Sequence, residues 1–167
     1  SDVIIDLGRY EAILPNRERV PIEEYQTGEQ LRCYVKAVEE TGRGPEIILS
    51  RSAPEFVIKL FTLEVSEIAD GTVEIISVAR EPGWRTKLAV HSADSRVDPV
   101  GACVGMKGSR IHGIVRELGN ENIDVINWTN NPQLMVTRAL SPARVSSVKL
   151  NDEKKTAQVY LKPEEVS

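Results

Sequence analysis

The chain has 167 residues, of which 41% are hydrophobic and 28% charged, and its formal net charge is −4 at pH 7. This length favours one or two domains with real hydrophobic cores. The acidic balance argues against nucleic-acid binding by the whole surface, although it leaves room for a local basic face. Because no apolar run is long enough to span a bilayer and the N-terminus lacks a signal pattern, we expect a cytoplasmic protein with no membrane partner.

The sequence offers little for catalysis or metal binding. Cys33 and Cys103 lie far apart without a neighbour at ligand spacing, so both are predicted to be reduced, buried thiols. His91 and His112 likewise have no acidic or cysteine partner at ligand spacing on a shared element. The sequence contains none of three common enzyme motifs: the phosphate-binding P-loop, the G-x-S-x-G elbow and the H-E-x-x-H motif. We therefore predict a non-enzymatic protein with no catalytic residue, metal or cofactor.

The first 51 residues are predicted to form strands, at 3–8, 10–15, 30–38 and 46–51, with polar and proline-containing segments between them. An unspecified small β barrel would fit this pattern. A sharper interpretation rests on Ile5-Asp-Leu-Gly8 with Ala12-Ile-Leu-Pro15, on Tyr25-x-x-Gly28 and on Ile48-Leu-Ser-Arg51. These pieces resemble the S1 RNA-binding domain, a five-stranded OB fold. The resemblance implies a first strand before Ser1, so four strands and an unpaired edge are expected.

The middle of the chain alternates helices and strands. Ser52-Ala-Pro-Glu55 predicts a capping box that opens a helix running to about Ile68. Strands at 72–80 and 85–91, two helices within 98–118 and a strand at 122–128 are predicted to follow. Beyond these, a helix at 131–140 and strands at 143–150 and 156–162 suggest a weak repeat of the same order.

The most informative stretch is Asp98 to His112. Asp98 suits a helix N-cap and Pro99 the first helical position. Gly105-Met-Lys-Gly108 then joins this helix to a second one, predicted from Ser109 to about Leu118. Glycines at both ends of a two-residue tip let a phosphate backbone approach closely, beside a helix N-terminus and the charges of Lys107 and Arg110. A glycine-rich turn with a solvated lysine is the plainer alternative.

The string from Asp98 to Ile111 closely resembles the first KH domain of the NusA family. Members of this family are bacterial transcription elongation and termination factors. The helix, strand, strand, helix, helix, strand order of residues 52–128 is that of a bacterial (type II) KH domain. Residues 139–148 resemble the start of the second KH domain of this family, and the chain ends before a second GXXG. We therefore expect an α+β fold: an S1-like OB fold lacking its first strand (1–51), a type II KH domain (52–130) and the truncated start of a second KH domain (131–167).

This resemblance implies binding of nascent single-stranded RNA and RNA polymerase, and of other antitermination factors, to modulate pausing, termination and antitermination. The candidate RNA-binding residues are Val100, Gly101, Val104, Gly105, Met106, Lys107, Gly108, Ser109, Arg110 and Ile111. For four of these residues the sequence also allows a purely structural role. Val100, Val104 and Ile111 could instead be ordinary helix–sheet core, and Ser109 only a helix N-cap.

Two competing functions remain. One is a protein-interaction module, for which the acidic balance would suit a basic partner. The other is an accessory part of an RNA-processing enzyme such as polynucleotide phosphorylase, although that enzyme places KH before S1.

Overall fold

A four-stranded sheet forms the N-terminal part of the computed structural model, which describes residues 1–166. Its strands are β1 (Val3–Asp6), β2 (Glu11–Leu14), β3 (Tyr34–Thr41) and β4 (Gly44–Ser50). They lie in the order β1-β2-β4-β3, with β2 parallel to β4 and both outer pairs antiparallel. The S1-like β region expected from the sequence is thus present with four strands. Its third strand begins at Tyr34 rather than at Gln30.

The next segment has the predicted order of helices and strands. Its elements are α1 (Pro54–Glu64), α2 (Ser66–Ala69), β5 (Glu74–Glu81), β6 (Arg85–His91), α3 (Pro99–Val104), α4 (Ile111–Glu117) and β7 (Asn122–Asn127). The sheet order is β5-β6-β7, in which β6 pairs antiparallel with β5 and parallel with β7. The α+β fold class predicted from the sequence is confirmed.

One hydrophobic core joins this sheet to its helices. Its buried residues come mainly from α1, β6, α3 and α4 and include Phe56, Phe61, Leu88, Val90, Cys103 and Ile114. In α1 the buried side chains recur at helical spacing and form one apolar face. Each such buried side chain contributes about 1.5–3 kcal/mol through the hydrophobic effect. Because α3 and α4 both pack into this core, the turn between them is held at a fixed place on the sheet.

The ends of α1 differ from the prediction. The prediction of a capping box at Ser52 is wrong, because the N-cap residue is Ala53. The backbone N–H of Ala53 donates a hydrogen bond to Ser50 Oγ, with N and Oγ 3.0 Å apart. The helix also stops at Glu64 instead of running to Ile68, because Val65 is extended and fully buried. Burial of the Val65 side chain in the core therefore outweighs continuation of the helix.

The C-terminal segment repeats helix, strand, strand. It consists of α5 (Pro132–Ala139), β8 (Val145–Asn151) and β9 (Thr156–Leu161), the two strands forming an antiparallel hairpin. The predicted cap of α5 is confirmed, since the Asn131 side chain accepts a hydrogen bond from Leu134 N at 3.1 Å. Within residues 1–166 no helix has the length and apolar character needed to cross a membrane.

Arg51 joins the first two segments, and its side chain is only 3% exposed. Its guanidinium pairs with Glu23 at 2.9 Å and donates to the carbonyl oxygens of Arg32 and Glu117 at 2.6 and 2.9 Å. Burial disfavours its charge, but the hydrogen bonds and charge of Glu23, together with Glu117, raise the pKa of Arg51 above its ordinary value. This buried arginine fixes α4 of the second segment to the end of β4.

Candidate nucleic-acid interface

Residues 105–108, called the glycine turn below, connect α3 to α4. Gly105, Lys107 and Gly108 have φ values of 77°, 54° and 78°, so three of the four residues are left-handed. The turn closes on itself through a 3.1 Å hydrogen bond from Gly108 N to Gly105 O. A second bond of 3.2 Å runs from Arg110 N back to Val104 O at the end of α3. The GXXG pattern thus folds into the compact connection between two helices that the sequence predicted.

Both glycines are required by space as well as by φ. A Cβ added at Gly105 would lie 2.7 Å from Ser109 Oγ and 2.9 Å from Arg110 N. A Cβ at Gly108 would lie 2.7 Å from the ring of His112. A larger residue at Gly105 would therefore collide with the backbone at the start of α4, and one at Gly108 would displace the His112 ring.

The tip of the glycine turn is open to solvent. Met106 is 85% exposed and Lys107 is also exposed. None of the ion pairs formed by residues 1–166 involves Lys107. An exposed cation beside two residues without side chains is suited to a phosphate group.

Arg110 also lies beside the turn, but its guanidinium is occupied. Nη1 donates to Glu67 Oε2 and to the Ala102 carbonyl, each at 2.6 Å. This hydrogen bond lowers the pKa of the Glu67 carboxyl and raises the pKa of Arg110. Glu67 was not among the predicted site residues, since it lies 43 residues from Arg110 and belongs to no recognisable motif.

The remaining candidate residues surround the turn. Val100 and Ile111 are half-buried and pack against the core, so the core alternative applies to part of their surface. On α3, Val104 is half-buried and Gly101 is exposed. Ser109 is exposed and is not the N-cap of α4, a position that Arg110 occupies.

Asp98 does occupy the N-cap position of α3, but its side chain makes no capping hydrogen bond. A Cβ at Gly101 would meet Asp98 Oδ2 at 2.5 Å, so a larger residue there would displace this exposed side chain.

The two histidines and two cysteines of the chain each lie in a different segment of the fold. The His91 ring packs edge-on against Trp128 at 5.6 Å, and the His112 ring lies beneath Gly108. Cys33 is half-buried and Cys103 fully buried, and burial raises the pKa of each free thiol to about 11. No cluster of three His, Cys, Asp or Glu side chains able to hold a metal ion occurs in the described part of the chain.

A buried ion pair that the sequence did not reveal supports the sheet behind this site. The side chains of Arg80 and Glu121 are both fully buried, with Nη2 and Oε1 3.1 Å apart. Glu121 also accepts hydrogen bonds from Gly83 N at 2.7 Å and Thr86 Oγ1 at 2.6 Å. Neither residue has a sequence neighbour that signals the pairing, since they are 41 residues apart.

The three-stranded sheet, with α3, the glycine turn and α4 against it, defines a KH-type domain, a class of nucleic-acid-binding module. Residues 51–128 match the NusA-like first KH domain, and residues 132–167 match the NusA-like second KH domain. The chain belongs to the NusA family.

Several curated relatives carry the name transcription termination/antitermination protein NusA. The chain is 49% identical to the relative from Halalkalibacterium halodurans over 159 residues, which cover 95% of this chain and 42% of that protein. It is 44% identical to the Thermus thermophilus relative, with 96% and 42% covered, and 46% identical to the Bacillus subtilis relative, with 95% and 43% covered. The chain therefore spans less than half the length of these relatives.

A solved structure described as the crystal structure of APE1850 aligns with 68% of this chain and 76% of its own, at a TM-score of 0.48 and 16% identity.

Proposed function

We propose that this chain is the RNA-binding part of a NusA-like transcription factor and that the glycine turn binds nascent single-stranded RNA. Membership of the NusA family and the names of the relatives support this proposal. The single observation that carries it is the turn itself: two sterically required glycines flank an exposed Met106 and Lys107 between two packed helices. We divide the chain into an S1-like part (1–51), a KH domain (52–130) and the start of a second KH domain (131–167).

In this proposal the RNA backbone passes over the glycine turn. Gly105 and Gly108 let phosphates approach the main chain, and Lys107 supplies a charge-assisted contact. The half-buried surfaces of Val100, Val104 and Ile111 form the adjoining apolar wall for bases, and the exposed Gly101 adjoins this wall on α3. Ser109 and Arg110 lie next to the phosphate path. Backbone contacts of this kind give affinity with little sequence preference.

Through RNA binding, the chain would act with RNA polymerase in the cytoplasm to modulate pausing, termination and antitermination, without catalysis of its own. Its relatives are named as transcription termination/antitermination proteins, which favours this role over an RNA-processing enzyme. Other antitermination factors are further proposed partners.

Replacement of Lys107 by Asp tests the RNA contact. We expect Lys107→Asp to weaken binding of a labelled single-stranded RNA by at least roughly tenfold, because a charge-assisted contact becomes a repulsion. Fluorescence anisotropy at fixed salt measures the change.

Lys155→Asp is the matched control. Lys155 is also an exposed lysine in the left-handed region, with φ 52° against 54° for Lys107, but it lies in the β8–β9 turn. The Lys155→Asp variant should bind RNA with the same affinity as the unaltered chain. Equal affinities for the two variants would contradict the proposed site, provided that circular dichroism shows both to be folded.

A further inference from the structure

The pair formed by Glu67 and Arg110 lies directly beside the glycine turn. A Cβ at Gly105 would be 2.9 Å from Arg110 Cγ, so the stem of this arginine runs along the turn. Its guanidinium then reaches Glu67 on α2 and the Ala102 carbonyl near the end of α3. Glu67 therefore places a carboxylate within one side chain's length of the proposed phosphate path.

This pair is exposed enough to exchange partners. The side chains of Arg110 and Glu67 are 30% and 32% exposed. An ion pair open to solvent is weak and is screened by salt. A guanidinium also binds phosphate in the same two-pronged manner in which it binds a carboxylate. A phosphate group over the glycine turn would therefore compete with Glu67 for the same donors.

We propose that Glu67 restrains RNA binding: it holds the Arg110 guanidinium against α3 and sets a negative charge beside the phosphate path. Arg110 then contacts RNA phosphate only to the extent that Glu67 releases it. This inference rests on the proposed function of the glycine turn. It makes Glu67, a residue that does not itself touch RNA, a determinant of the affinity and salt dependence of the site.

Glu67→Gln in the full chain tests the restraint, since glutamine keeps the size of the side chain and removes its charge. We expect RNA affinity at low salt to rise roughly two- to fivefold, because RNA binding no longer has to break a solvent-exposed ion pair worth up to about 1 kcal/mol. The slope of log K against log salt should become more negative by roughly 0.7, the value for one additional phosphate contact on a single strand. A purely structural role of Glu67 would not steepen this slope.

Two further variants make the test specific. Glu64→Gln removes the same charge from an exposed position on α1, close enough to act on the charge of Arg110 but without a hydrogen bond to it in the described residues. It should leave the salt slope unchanged. The double variant Glu67→Gln/Arg110→Gln should lose the gain in affinity and return the slope to that of the unaltered chain.

The restraint is overturned if Glu67→Gln binds RNA as the unaltered chain does, if Glu64→Gln has the same effect, or if the gain survives in the double variant. Lys107→Asp separates this failure from failure of the proposed function. Loss of binding in Lys107→Asp with no effect of Glu67→Gln would leave the function intact and remove only the restraint. Failure of the unaltered chain to bind single-stranded RNA would overturn both.

Discussion

At position 108 the room for a side chain is taken by the imidazole ring of His112. Gly108 is also held at φ 78°, a conformation that residues with a Cβ rarely adopt. The two constraints are independent, and Gly105 is subject to both as well. The glycines are therefore needed to fold the turn, apart from any role in letting RNA approach. Loss of either should damage the structure and the site together.

Gly108→Ala should lower the free energy of unfolding by about 1–3 kcal/mol, because it adds a strained φ and a clash with His112. Gly113 is the matched control: it lies inside α4 with nothing within 4 Å of an added Cβ. Gly113→Ala should stabilise the protein by about 0.5–1 kcal/mol, as expected in a helix interior. Urea unfolding of both variants measures these changes, and similar shifts in the same direction would contradict the steric account.

At the scale of elements, the segment between α4 and β7 is tied to the β5–β6 hairpin. Glu121 precedes β7 and reaches Arg80 at the end of β5, the Gly83 amide in the turn and the Thr86 hydroxyl on β6. Arg80 in turn donates to the carbonyl oxygens of Arg51 and Ala53 at 2.7 and 2.9 Å, just before α1. One buried carboxylate thus sets the positions of two strands and the start of a helix.

Glu121→Gln should reduce the free energy of unfolding by about 3–5 kcal/mol, because the fully buried guanidinium of Arg80 loses its counter-charge. The exposed pair of Arg96 and Asp94 supplies the control, since the Arg96 side chain is 88% exposed. Arg96→Gln should leave the urea midpoint nearly unchanged. A Glu121→Gln variant as stable as Arg96→Gln would show that the buried pair does not hold these elements together.

For the whole molecule, the order of elements could be read from periodicity, glycines and prolines, and β6 was predicted with both of its ends. What failed depends on contacts between distant residues. Val65 breaks the helix predicted to reach Ile68 because its side chain is buried in the core. The Arg51 network and the pairing of Arg110 with Glu67 join residues 19 to 66 positions apart, which no local pattern reveals.

The glycine turn itself was predictable because its conformation is encoded locally, by two glycines three positions apart. The charge environment of the turn was not predictable, because it depends on Glu67 in α2, a segment that was predicted as the end of α1. The family resemblance suggested single-stranded RNA as the ligand. The structure then distinguishes candidate side chains that are exposed, such as Lys107, from those already paired, such as Arg110.

The most direct test of the central claim is an NMR titration of the chain with single-stranded RNA, following each backbone amide. We expect the largest chemical-shift changes on residues 100–111, centred on Lys107, and we expect these changes to weaken as the salt concentration rises. Changes confined to the β1–β4 sheet or to the β8–β9 hairpin, with residues 105–108 unmoved, would contradict this claim.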